Sequence, residues 1–210
     1  VSDYTENTFP TVDMNTFIEQ AEQRIYNSVQ FPSIRKNVTG VTSTNNKYLS
    51  CPNDFLAVYS MAVIDGTGMY EYLLNKDVNF IRQAYPSPTD TAIPKYYALF
   101  GPTVVSSVIT NELSFILGPT PDAVYNVELH YYYYPESIVT ASTTWLGDNF
   151  DSVLLYGTLV EAITYMKGEA DMVTLYNGKY AEALALAKRL GDGMERQDAY
   201  RSGQYRQAVT

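Results

Sequence analysis

Tyr131-Tyr-Tyr-Tyr-Pro135, and after a short polar stretch Trp145-Leu-Gly-Asp-Asn-Phe-Asp-Ser-Val-Leu-Leu-Tyr-Gly-Thr-Leu-Val-Glu-Ala162, mark the place where the chain changes from one periodicity to another. Upstream, Val124, Asn126, Glu128 and His130 alternate with Tyr125, Val127, Leu129 and Tyr131. Strand side chains point to opposite faces in turn, so the second set, large and apolar, is expected in the core. Downstream, Val153, Leu154, Leu155, Tyr156, Leu159, Val160, Ile163, Tyr165 and Met166 recur at helical spacing from Asp148 or Asp151 to about Lys167. A stripe that broad exceeds what one face of a two-layer protein needs, and it predicts either a central helix or a helix buried partly by a neighbouring subunit.

Gly168 breaks this run, and residues 169–190 form a second helix with Val173, Tyr176, Tyr180, Ala183 or Leu184, Ala187 and Leu190 inward. Alanines at 181, 183, 185 and 187 favour helix and permit close approach of another helix. Lys188 and Arg189 suit the carboxy end of a helix, with Gly191 or Gly193 as its cap. The polar tail from Met194 to Thr210 has no apolar period and is expected to take order from a partner.

Working back to the amino end, Met14, Phe17, Ile18, Ala21, Ile25 and Val29 give a helix capped by Thr11 or Asp13 and ended at Phe31-Pro32. Short strands are expected at Val38 to Thr42 and Lys47 to Leu49. Phe55 to Ile64 and Met69 to Leu73 read as a hairpin across Asp65-Gly66. Asn75 caps a short helix through Ala84, and residues 94–100, 112–117 and 123–134 read as strands. The fold class is therefore α+β, with a carboxy-terminal helical hairpin and an amino-terminal helix forming a helical body and a small, mostly antiparallel β portion inserted between them. The expected divisions are 1–34, a β-rich portion 35–140 with a short helix near 76–84, the hairpin 145–190, and a carboxy-terminal arm 191–210.

The composition is that of a folded chain, with 46% hydrophobic and 18% charged residues; tyrosine is the outlier at 20 of 210. The net charge of −9 is uneven, because residues 188–210 carry +2 and residues 1–187 carry −11. An acidic body argues against gripping nucleic acid over the whole surface, and suits a wall past which DNA slides. With Cys51 alone no internal disulfide forms, and no stretch has the length and apolarity of a membrane span. A chain opening on Val1 is expected to lack an initiator methionine or a longer leader, and its polar, acidic start is unlike a signal peptide.

Chemistry-bearing clusters are sparse. His130 is the sole histidine and lies in a strand, so its pairing with Cys51 as a catalytic dyad rests on residue type alone. One Cys and one His exclude the usual structural zinc site within one chain. Asp148 and Asp151 are explained by helix capping, and joining Glu112, Glu128 and Glu161 into a glycosidase site requires a proximity that the sequence does not supply. The glycine-rich nucleotide motifs are absent, and no catalytic residue, metal or cofactor is expected. The tyrosines fit packing, subunit contact or a ligand platform.

The order of elements resembles the adaptor, or head-to-tail connector, proteins of short-tailed and related tailed phages. The residues that carry the resemblance are Tyr48-Leu-Ser-Cys-Pro-Asn-Asp-Phe55, Tyr132-Tyr-Tyr-Pro135, the 145–162 segment quoted above, Tyr165-Met-Lys167 and Leu175-Tyr176. It is sharpest from about Tyr131 to Leu190. The resemblance implies a structural virion protein at the head-tail junction, made in the bacterial host cytoplasm. It implies a homo-oligomeric ring, usually twelve-fold, that binds the portal protein and a tail, nozzle or neck protein. Packaged DNA would pass through the channel without sequence-specific binding, and no membrane is involved. Subunit contacts are expected at Leu154, Leu155, Tyr156, Leu159, Val160, Ile163, Ala183 and Ala187, and portal docking at Arg196, Tyr200, Arg201, Tyr205 and Arg206. The alternatives are another neck, head-completion or tail-closure protein, or a carbohydrate-binding or cell-wall-active module.

Overall fold

The computed structural model describes residues 8–101, 103–105, 108–111 and 113–202, the side chains of 103–105, 108–111, 192 and 194–202 excepted. The chain divides into a helical unit, residues 1–34 with 134–210, and a β unit, residues 35–133. The architecture is α+β, as the alternation of periods predicts.

In the helical unit, α1 (Thr11–Ser28) buries Phe17, Ala21, Ile25 and Tyr26. The expected caps Thr11 and Asp13 lie inside the helix instead, which starts straight after Pro10 with no side-chain cap. It also stops earlier than Pro32 requires, because Val29 is already extended. Two short helices, α3 (Ile138–Ala141) and α4 (Trp145–Asn149), lead to α5 (Asp151–Tyr165). Thr144, not an aspartate, caps α4 by accepting from the Gly147 amide at 3.1 Å. Phe150, at φ −139° and ψ 46°, separates α4 from α5, so of the two expected starts, Asp148 or Asp151, it is Asp151 that opens the helix.

α5 is the central helix. A Cβ on Gly157 would lie 3.2 Å from the Ala21 Cβ and 3.3 Å from the Tyr180 ring, so a side chain there would press the flanking helices apart by a few tenths of an ångström. Val153, Leu159, Val160 and Ile163 of the broad apolar stripe are buried within the protomer, whereas Leu154, Leu155, Tyr156 and Met166 are half-buried and Tyr165 is 62% exposed. The reversal into α6 (Ala170–Ser202) passes through Lys167 at φ 54°.

α6 runs through both glycines expected to cap it. Gly191 is buried, and a Cβ there would sit 2.9 Å from the Val29 Cγ1 and 3.3 Å from the Gln30 carbonyl oxygen. Its small size serves close approach within the helix rather than termination. Leu190, expected inward, is 47% exposed.

Among the described residues, the β unit contains two four-stranded sheets. The first has the order β1-β10-β3-β4, from β1 (Arg35–Val41), β10 (Asn126–Tyr132), β3 (Ala57–Ile64) and β4 (Tyr70–Tyr72). The second runs β2-β9-β6-β5, from β2 (Tyr48–Ser50), β9 (Ser114–Gly118), β6 (Tyr96–Phe100) and β5 (Leu74–Asn75). Met61, Val63, Val127, Leu129 and Tyr131 of the first sheet meet Tyr97, Phe115 and Leu117 of the second in one cluster, which makes a sandwich. The predicted inward face of β10 is thus present, with Tyr125 packed at its margin.

The other face of the second sheet is covered by α2 (Val78–Ala84), whose Ile81 packs on Ala98 and Ile116. Asp77, rather than Asn75, caps α2 by accepting from the Asn79 amide at 2.7 Å. In the β3–β4 turn it is Gly68, at φ 87°, that takes the left-handed conformation, not Gly66. Asp65 Oδ1 ties this turn by accepting from the Thr67 and Met69 amides at 2.8 and 2.9 Å. Pairing is antiparallel except between β5 and β6, and β1 and β10 close the unit with Arg35 opposite Tyr132.

Residues 101–113, expected to separate two strands, instead contain a further ribbon. β7 (Thr103–Val105) pairs antiparallel with β8 (Val108–Asn111) beyond the β6–β9 pair.

Candidate functional site

The tetra-tyrosine run spends its rings within the protomer, each on a different job. Tyr131 is 1% exposed, and its hydroxyl donates to Asp54 Oδ1 at 2.8 Å. Lys36 Nζ donates to the other carboxylate oxygen at 2.8 Å and lies 4.9 Å from the Tyr133 ring centroid. Desolvation works against the charged Asp54, but the hydrogen bonds from Lys36 and Tyr131 outweigh it and hold the carboxyl below its usual range. Tyr132 meets Tyr59 edge-on at 5.9 Å, and the Tyr134 hydroxyl donates to Asn27 in the helical unit.

Among the described residues, the chemistry-bearing side chains singled out in the sequence lie in separate places. His130 Nε2 is 2.9 Å from Glu128 Oε1, which also accepts from Asn37 Nδ2 at 3.1 Å. The bond with His130 is the main cause that lowers the Glu128 carboxyl. Cys51 instead packs against the sandwich core, and burial pushes its thiol up to about 12, far from a nucleophile's range. The Cys51–His130 dyad is therefore not formed. Glu161 pairs with Arg24 inside the helical unit, whereas Glu112 lies outside the described residues. Asp151 accepts from its neighbour's amide, Ser152 N, at 2.7 Å. Among the described residues no group of three His, Cys, Asp or Glu is placed to hold a metal, and no described helix is long and apolar enough to cross a membrane.

What the geometry does offer is surface. Of the residues expected at subunit contacts, Leu159, Val160, Ile163 and Ala187 are buried in the protomer's own helical core. Leu154, Leu155, Tyr156 and Ala183 are half-buried. Sequence reasoning missed Leu175, Leu186 and Leu190, which are 52%, 60% and 47% exposed on α6. At 3.6 residues per turn these three, with Gly178 and Glu182, fall in one stripe of α6, about a quarter turn from the buried stripe of Tyr176, Tyr180 and Ala187. The signal was present in the sequence as a helix with leucines on both sides. Of the arm candidates, Arg196, Tyr200 and Arg201 lie on the backbone of α6 with side chains outside the described set, and Tyr205 and Arg206 lie outside the described residues.

A shallow groove lined by Gln20, Gln23, Arg24, Asn27, Ser28 and Glu161 runs along α1 and α5. Behind it the Tyr180 hydroxyl is buried without a partner among the described residues. Burial raises its pKa, with Arg24 pulling it down and Glu161 pushing it up. The lining is hydrogen-bonding and open rather than a closed apolar pocket of the kind that holds a small molecule.

Residues 1–207 match the family model described as SU10 adaptor protein. The chain belongs to the SU10 adaptor protein family. It is thus a phage structural adaptor, a protein of the virion's head-tail region that associates with other virion proteins. No curated protein matches the chain. For an adaptor, an exposed leucine stripe on a long helix fits the role, since the work of an adaptor is done by contact surfaces.

Proposed function

We propose that the adaptor forms a homo-oligomeric ring, twelve-fold, that seats on the portal, receives a tail, nozzle or neck protein on its other side, and continues the DNA channel. The role is structural and not catalytic. The single observation that carries this reading is the exposed α6 face of Leu175, Leu186 and Leu190 on a chain whose family is that of phage adaptors. Such apolar area on a protomer calls for a partner, and a closed ring sets one patch of a subunit against a different patch of the next. The half-buried Leu154, Leu155, Tyr156 and Ala183 retain area to give to a neighbour. Leu159, Val160, Ile163 and Ala187 contribute by fixing the helices that present it.

The charge of −11 on residues 1–187 supports DNA passage without retention, and the +2 on residues 188–210 supports α6 and its arm as the portal-docking element, through Arg196, Tyr200, Arg201, Tyr205 and Arg206. Synthesis takes place in the host cytoplasm and no membrane is used. Particle-averaged imaging of the full chain mixed with portal rings tests the reading. A ring is expected at the portal's tail-side face. Its absence there, with the chain remaining free, overturns the proposal, and removal of residues 194–210 is expected to weaken docking more than folding.

A further inference from the structure

The ribbon β7–β8 is an element whose stability the protomer does not explain. Two-stranded ribbons are marginal in water unless a third strand or a packed face supports them. Among the described residues, β7 and β8 pair only with each other. The β6 edge that continues into β7 is also open: β5 covers Tyr96 and Tyr97, and from Ala98 to Phe100 no described strand lies alongside. Leu99 and Phe100 at that edge are 42% and 44% exposed. On the other side, β2 pairs with β9 at Ser114 to Ile116 and does not reach β8.

The sequence of this region lacks the usual protection of strand edges. Natural edges carry lysine or other charge to prevent pairing with another chain. From Tyr96 to Asn111 there is no charged residue, and Thr103-Val-Val105 with Val108-Ile-Thr110 is dense in β-branched types that favour strands. In a chain of net charge −9, copies repel one another over most of their surface, so a neutral stretch is where two copies meet at least electrostatic cost. The lack of Lys and Arg also removes DNA phosphate as the partner.

We propose that this ribbon is an intersubunit strand pair: the β7 edge of one copy hydrogen-bonds to the β8 edge of the next, so that successive ribbons join one sheet around the ring. The inference rests on the ring reading above. Its geometry is self-consistent, because β7 and β8 run in opposite directions within each copy. Rotation about a ring axis then brings each β7 beside an oppositely directed β8, and every new contact is antiparallel. The two edges are different, as a head-to-tail contact requires, and closing the ring leaves no edge exposed.

The test is amide hydrogen exchange on the full chain, free, seated on portal rings without tail protein, and seated with it. Exchange in 103–105 and 108–111 is expected to slow by about tenfold or more on seating with portal alone. Because Thr103 and Asn111 also face each other within one copy, the readout is the ratio of free to seated exchange for each variant: Thr103→Lys with Asn111→Lys is expected to bring this ratio to about one, whereas Thr103→Lys with Asn111→Glu restores it. Unchanged exchange within a ring that has formed overturns the ribbon inference and leaves the ring reading standing. Slowing that needs the tail protein, or that persists in the double-lysine variant, assigns the ribbon to another partner and overturns it too. If no ring forms at the portal, it is the adaptor arrangement that fails.

Discussion

Phe31→Ala is expected to cut deeply into the stability of the helical unit. Phe31 is fully buried, with its ring centroid 5.1 Å from Trp145 and 5.1 Å from Phe150, which are themselves 5.5 Å apart. These three rings tie the end of the α1 segment to the start of the hairpin. Truncating a buried Phe costs about 3–5 kcal/mol, and the two ring contacts place this site toward the upper part of that range, since each aromatic pair adds about 0.5–1.5 kcal/mol beyond area. A loss of about 4 kcal/mol consumes much of the roughly 5–15 kcal/mol that holds an ordinary domain together. With a urea dependence of about 2 kcal/mol per molar, the midpoint falls by about 2 M. Trp145 is the only tryptophan and lies in the helical unit, so its fluorescence through a urea titration reads this unit selectively. Phe31→Leu, which keeps most of the volume, is expected to cost about 1 kcal/mol. A midpoint shift below about 0.5 M for Phe31→Ala, at unchanged slope, would show that the ring cluster does not hold the unit together and would refute the reasoning.

Two glycines of α6 should respond in opposite directions. Gly178→Ala meets open space and is expected to raise stability by about 1 kcal/mol through helix propensity, whereas Gly191→Ala is expected to lower it by about 1–2 kcal/mol because its Cβ would press on Val29 and the Gln30 carbonyl; thermal unfolding followed by circular dichroism separates the two. The depressed Asp54 carboxyl gives stability that is full above its unfolded value near 3.8 and is lost as pH falls through the lower folded value, so acid titration of Asp54→Asn should lack that component of the loss. Cys51, with its thiol raised to about 12 by burial, should resist a thiol reagent at about pH 8 while the chain is folded and react once urea unfolds it; rapid labelling of the folded chain would contradict the packing described.

The elements that were legible in the sequence are those whose signal is local. The stripe of α1, the double helix after Asp148 and the alternation along β10 all follow from side-chain periods set within a few residues. What escaped was decided by distant partners. Gly191 looks like a helix cap because nothing nearby reveals that Val29 and Gln30 press against it. Glu22 falls outside the apolar period of α1, yet it is 3% exposed and its carboxylate accepts from the Ile138 amide at 3.0 Å, 116 residues away. Leu175, Leu186 and Leu190 were hidden by the reverse effect, since an apolar residue on a helix is assigned to the core until a structure shows it outside. For β7 and β8 the β-branched signal was present, but strands expected only at 94–100 and 112–117 left no place for it. The surfaces offered to partners were the least legible part, because a periodic pattern does not distinguish burial within a chain from burial between chains.

The pairing of Arg35 with Tyr132 also shapes how the chain reaches its native state. Ala21 and Gly157, which meet where α1 crosses α5, are far apart in sequence with all of 35–133 between them, and long-range closure of that kind slows folding. Once β1 and β10 zip together, the two ends of that insertion stand only about 5 Å apart, the spacing of an antiparallel pair. For α1 searching for α5, the intervening hundred or so residues then count as little more than a turn. The β unit is in this sense a kinetic shortcut: forming it first turns the most expensive loop in the molecule into a short one.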